Sequence, residues 1–245
     1  MMGLGNRVYG LAAIALGVIG LAWGDFASVW QPVPAEIPGY AILACAAAAL
    51  SIAGGAAMQV RRTAAGGALV LAALYAVFAL LWARRAVEAP QMFGTWLGTA
   101  EQVALVVAGV AAALGALHAD VRPGRAQAGR VAFGVCLLVF GAAHLILVKD
   151  TAAFVPAWLP RRDLWAIGTG VAHILAGLAF VSGVAAVAAS RLLVAMFVGF
   201  GALVWAPILL AEPHGHVPWA GNAINLALIG AAWVMADSIA RARRG

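Results

Sequence analysis

Two histidines sit inside long apolar runs: His144 closes the tetrad GAAH, and His173 lies in GVAHILAG. Each occupies a glycine-rich helical face, with Gly134 and Gly141 on the side of His144 and Gly170 and Gly177 flanking His173. Ionisable groups are expensive within a bilayer and generally face a bundle interior. A neutral imidazole has one donor and one acceptor, which suits a quinone carbonyl or a proton relay. A buried histidine satisfied by a neighbouring helix fits the same pattern, and both readings stand at this point. Axial ligation of one haem iron is a third use of such a pair. Counted at ~1.5 Å per residue from the outer ends of their runs, His144 lies about 6 Å deep and His173 about 13 Å. That difference in depth counts against a shared iron.

Other polar residues fall in the same outer third. Asn222 and Asn225 are three apart and share a helical face. Glu101 and Gln102 stand at equivalent depth on another run. Glu101 either pairs with Arg84 or Arg85 or exchanges protons, and the ion pair is the simpler expectation. If these side chains line one chamber, it is a polar pocket fit for a quinone headgroup, with His144, His173, Asn222, Asn225 and Glu101 as its binding residues. The stretch EPHGH sets Glu212, His214 and His216 at alternate positions, but two histidines and a carboxylate are too few to specify a metal. Cys45 and Cys136 are isolated, with no CxxC, so a thiol–disulfide relay is disfavoured and both read as small buried packing residues. Asp237 and Arg241 read as an exposed helix-end pair, and His118 beside Asp120 as structural. No catalytic residue is named by the sequence, which leaves open whether the chain is an enzyme at all.

The elements that carry these residues must be membrane helices. Sixty-five per cent of the 245 residues are hydrophobic and ten per cent are charged, with a mean hydropathy of +0.99. A soluble domain would lack the polar surface to stay in water. Eight apolar runs of spanning length are expected, over 8–24, 40–59, 67–83, 96–117, 131–148, 164–182, 191–210 and 220–238. The first is read as a helix and not a cleaved signal peptide, because it corresponds to the later run after Arg130. With the N-terminus inside, Arg7, Arg61, Arg62, Arg122, Arg125, Arg130, Arg191, Arg241, Arg243 and Arg244 lie on the inner side. Only Arg84, Arg85, Lys149, Arg161 and Arg162 lie outside. This bias predicts both termini in the cytoplasm of an inner (cell) membrane. All tryptophans except Trp233 fall near the outer ends of helices. Basic charge of this kind is topological and gives no reason to invoke nucleic acid.

The same unit is written twice. VPAEIP (Val33 to Pro38), Pro90 and WLGTA (Trp96 to Ala100) recur as VPAWLP (Val155 to Pro160), Pro213 and WAGNA (Trp219 to Ala223). Arg7-Val8 recurs as Arg130-Val131, and the offset is about 122–124 residues. The expected fold class is an all-α polytopic membrane protein, eight transmembrane helices as two parallel four-helix repeats, residues 1–120 and 121–245. Four spans per copy is even, so both copies cross in the same direction, about a pseudo-two-fold axis along the membrane normal. Glycine stripes, such as Gly10, Ala13, Gly17, Gly20 and Gly24, predict close helix packing. The proline-rich loops 25–39 and 149–163 predict stiff aromatic caps over the outer mouth.

GAAH, FVPAWLP (Phe154 to Pro160), GVAHILAG and the closing GAAW (Gly230 to Trp233) resemble the DoxX-like family of four-helix membrane proteins. The first copy resembles a diverged member, retaining VWQPVPAEIP (Val29 to Pro38) and Gly54-Gly55 but placing Gly20 where His144 stands and Ser51 where His173 stands. The resemblance implies the four-helix fold. It also implies kinship with membrane subunits of quinol oxidase and thiosulfate:quinone oxidoreductase assemblies. A site built on the histidines then belongs to the second copy.

Three functions follow from these readings. The first is a membrane subunit of a quinone-linked redox complex, serving a redox partner protein on the outer face, with quinone as the cofactor this reading favours. The second is a non-catalytic anchor or assembly factor engaging an outer-facing partner through the Trp/Pro loops. The third, a small-solute transporter, ranks last because the spans show few charges and no clear broken helices.

Overall fold

A computed structural model describes residues 3–27, 29–118 and 123–242. Asp120, Arg122, Arg243 and Arg244, which entered the sequence reading, lie outside the described residues. The chain is helical throughout: α1 (Leu4–Trp23), α2 (Tyr40–Ala57), α3 (Ala64–Glu88), α4 (Phe93–Ala116), α5 (Pro123–Ile146), α6 (Val148–Phe154), α7 (Arg162–Ser182), α8 (Ala186–Phe200), α9 (Ala206–Ala211) and α10 (His216–Ala242). Residues Gly201–Trp205 form a π-helical turn that joins α8 to α9. Eight of these segments are long and apolar enough to cross a membrane, with α8, the π turn and α9 forming one span. Pairs of adjacent helices pack within each half, α1 on α2 and α3 on α4, then α5 on α7 and α8 on α10. The halves interlock by exchange: α10 lies on α1, and α4 lies on α5. The α10 span is the enclosed centre, 72% buried, whereas the span through α8 and α9 is 11% buried and lies on the outside of the bundle.

Small residues set this packing. Without a hydrophobic drive between helices in lipid, close van der Waals contact must hold them together. The same positions make that contact in both halves. A Cβ on Gly10 would strike Gly55 and Met58, and one on Gly134 would strike Gly177 and Phe180. A Cβ on Gly17 would strike Ala48 and Ile52, and one on Gly141 would strike Gly170 and Ile174. The register therefore pairs Gly20, against Ala48, with His144, against Gly170. The W-x-G-x-A segments have an equally direct cause. In each half the third span delivers a tryptophan ring, Trp82 or Trp205, into the space above Gly98 or Gly221. The tryptophan that opens each segment donates its Nε1–H to the carbonyl of the proline six residues earlier, Trp96 to Pro90 (3.0 Å) and Trp219 to Pro213 (2.9 Å).

Three expectations need correction. Loop 149–163 is a cap only in its second half, since Val148–Phe154 is helical. Its first proline is Pro156, and nothing before it forbids a helix. The seventh span is interrupted by the π turn, where regular helix was expected. Pro207 lacks the N–H that Leu203 would otherwise receive, and its ring crowds that carbonyl, so the preceding turn widens. Cys45 is exposed on α2, whereas Cys136 is buried. An apolar helix with lipid on one side can turn a small apolar thiol outwards at little cost.

Candidate functional site

His144 comes from the last turn of α5 and His173 from the middle of α7. The crossing of Gly141 over Gly170 brings these helices together. The space that a Gly170 Cβ would take is filled by the Cβ of His144. As a result the imidazole centroids lie 4.9 Å apart with 41° between the rings. The depth difference expected from counting residues is closed by side-chain reach.

Each ring is fixed by the same bond. Nδ1 of His144 lies 2.9 Å from the carbonyl of Phe140, and Nδ1 of His173 lies 2.9 Å from that of Thr169, both four residues earlier. A carbonyl only accepts, so each Nδ1 carries the hydrogen and each neutral ring presents Nε2 as an acceptor. His173 is 1% exposed, and its Nε2 has no hydrogen-bond partner among the described residues. Buried polar atoms are nearly always satisfied, so such an atom marks a place where a ligand or proton belongs. His144 is half-buried and completes the pair from the open side.

The walls are aromatic. Around His173 stand Phe140 edge-on at 5.8 Å, Phe197 at 5.7 Å and Phe200 at 6.3 Å, and Phe200 also stacks on His144 at 6.4 Å. Phe197 and Phe200 come from α8, three residues apart, and were not singled out in the sequence. Their signal is a pair of rings at helical spacing just before a glycine and a proline, in FVGFGALVWAP.

A scan of protein-family models, a search of curated proteins and a search of solved structures find no match for this chain. The site is therefore argued from its own geometry.

Of the remaining candidates, only Asn225 touches the wall around the pair. Asn225 is buried and donates to the Phe197 carbonyl at 3.0 Å, so it braces the aromatic wall. Asn222 donates to the carbonyls of Trp205 (2.8 Å) and Pro218 (2.9 Å), fastening α10 to the π turn. Glu101 is half-buried on α4, and no hydrogen bond or ion pair joins it to either histidine. Its expected partners are engaged elsewhere: Arg84 pairs with Glu88 at 2.7 Å, one helical turn away, and Arg85 lies 5.3 Å from the Trp82 ring. Gln102 donates to the carbonyl of Trp30 at 3.1 Å, which pins the first loop under Trp82. Trp30 in turn packs edge-on against Trp205 at 5.8 Å, an aromatic contact that spans both halves at the histidine end of the bundle.

A shared haem iron does not fit. Two metal–nitrogen bonds of about 2 Å across an iron would hold the ring centroids about 6 Å apart. The observed spacing is shorter. In EPHGH the residues do not converge: His216 turns away to stack on Trp23 at 5.0 Å. No group of three or more His, Cys, Asp or Glu able to hold a metal occurs among the described residues. Asp237 and Arg241 do not come within the 4 Å of an ion pair, but one helical turn apart their charges still attract one another.

Proposed function

We propose that this chain is an integral membrane subunit of a quinone-linked redox complex, DoxX-like in kind, with the headgroup seated against His144 and His173. The observation that carries this reading is the buried, unpartnered Nε2 of His173 beside a second imidazole inside a phenylalanine cage. A quinone supplies coupled two-electron, two-proton chemistry when bound. The residues match its two faces: aromatic rings for the planar headgroup, nitrogen atoms for its oxygens. With Nδ1 committed to a carbonyl, neutral His173 accepts from a hydroxyl through Nε2. Once it carries a second proton, the same atom donates to a carbonyl. The helix-bound Nδ1 keeps the ring from turning, and Phe197 and Phe200 keep water off it. Asn225 and Asn222 act as supports behind that wall. Glu101, on α4 in the same third of the bundle by its place in the helix, belongs to this reading as a proton-exchanging group. The chain lies in the inner membrane with cytoplasmic termini, and its redox partner docks on the outer face.

The test is turnover of the purified native complex. His144→Ala and His173→Ala should each abolish quinone-dependent turnover while assembly persists, and unchanged turnover in both would sink the site. A second reading, a non-catalytic anchor, is favoured by the exposure of Trp158 (71%) at the tip of the second cap. Under it, changing Trp158 or Pro160 releases the outer partner and the histidine changes are silent.

A further inference from the structure

At the opposite end of the bundle from the histidines, a cavity of about 300 Å³ opens between α8 and α10, lined by Arg191, Val194, Trp233, Ala236, Asp237 and Ala240. Volumes of this order hold small ligand groups. The first described residue also approaches it, since a Cβ on Gly3 would meet the Asp237 carboxylate at 2.5 Å. The cleft is braced and not merely loose. Directly beside it the buried Ser190 hydroxyl donates to the carbonyl of Ala232 at 2.6 Å, holding the two helices at a fixed separation.

Its lining holds one cation and one anion; Asp237 feels the charges of Arg241 and Arg191, yet neither lining group makes an ion pair within 4 Å or a hydrogen bond among the described residues. The ion pairs found there are Arg84 with Glu88 and Arg161 with Asp163, at the other end. A guanidinium is a fork of donors suited to phosphate, and a carboxylate is acceptor-only and calls for an N–H donor. Trp233 is the one tryptophan in this part of the bundle, one helical turn before Asp237 on α10, and indoles favour the interfacial region of a bilayer. On the same helix as Arg191 and Val194, Leu192 and Val198 are exposed apolar side chains. A free phosphate would satisfy Arg191 but leave Asp237, Trp233 and Val194 unused.

We infer that this cleft binds a zwitterionic phospholipid with a primary ammonium headgroup, its phosphate on Arg191, its ammonium on Asp237 and its glycerol backbone along Trp233 and Val194. The inference stands apart from the quinone reading and survives its failure.

The experiment is native mass spectrometry of the full chain released from nanodiscs of equal parts phosphatidylethanolamine, phosphatidylglycerol and phosphatidylcholine. The wild type should retain one phosphatidylethanolamine in preference to the other two. Arg191→Gln and Asp237→Asn should each lower that retention at least fivefold, with thermal melting unchanged. Arg191→Lys, which keeps the charge, should recover part of it and so separate a binding loss from a folding loss. Equal retention of the three lipids, preference for the anionic lipid, or full retention in both variants would each overturn the inference. Inorganic phosphate displacing the lipid at millimolar concentration would overturn it in favour of a simple anion site.

Discussion

The ring of His173 lies 4.9 Å from that of His144, yet neither imidazole bonds to the other: both turn Nδ1 back to their own helix. The pair is thus two separate acceptors among aromatic rings, and no described residue bonds to the buried Nε2 of His173. An unpaired buried acceptor costs on the order of 1–3 kcal/mol, and replacing it by an apolar group of similar shape is neutral or stabilising. His173→Phe should therefore keep or raise the melting temperature of the purified chain while removing quinone-dependent turnover. A drop equivalent to more than about 2 kcal/mol, beyond the loss of the Nδ1 bond to Thr169, would mean that Nε2 has a partner within the fold.

The architecture was legible because its causes are local. The length and apolarity of the runs, the glycine stripes and the doubled W-x-G-x-A segments are all visible without coordinates. The register that sets Gly20 against His144 follows from the same spacing. The second-half histidines were recognisable too, being rare ionisable groups inside spans. What could not be read was direction. Nothing in the spacing says that Asn225 spends its donor on Phe197, that Arg84 prefers Glu88 to Glu101, or that His216 stacks on Trp23. Those choices depend on which helix lies alongside, and the exchange of α1 and α5 between halves is set by three-dimensional packing. The π turn was missed, because the apolar run reads straight through Pro207 and regular helix was expected there.

Gly221 and Trp205 test the packing logic of the doubled segment. The indole occupies the space of the missing Cβ, as Trp82 does above Gly98. Gly221→Val should destabilise by roughly 1–3 kcal/mol through overpacking. Shrinking the ring in Trp205→Leu should restore part of that loss in the double variant, so the two changes are non-additive. Melting curves of the four proteins in one detergent measure the coupling. Strict additivity would show that the ring moves away freely and that the glycine serves another purpose.

Arg130 ties the start of α5 to the end of α7. Its guanidinium donates to the carbonyls of Phe180 and Val181, which are acceptors that the helix end leaves unused. Bonds from a charged donor contribute about 1.5–3 kcal/mol when well formed, and less where water competes. Arg130→Met retains most of the side-chain bulk and should cost about 1 kcal/mol. Hydrogen exchange should quicken at the amides just past Gly183 and stay unchanged at His173. Faster exchange throughout α7 would mean that the contact holds the whole helix and not its end.

Pro207 is the cause assigned to the π turn, and the asparagines are its braces. Pro207→Ala restores an N–H to the position whose absence forces the widened turn, so α8 and α9 should relax towards one continuous α-helix. Regularising the turn moves the Trp205 carbonyl away from Asn222 and shifts Phe197 and Phe200 around the helix axis relative to the histidines. Stability should change little, since a lost side-chain bond in a membrane averages about 0.6 kcal/mol and the proline penalty is relieved at the same time. Function should change more, because the aromatic wall no longer faces His173. Spin-label distances between α8 and α10 should report the rotation, and quinone-dependent turnover should fall in parallel. Rotation without loss of turnover would separate the phenylalanine wall from the histidine site. An unmoved helix would remove Pro207 as the cause of the turn.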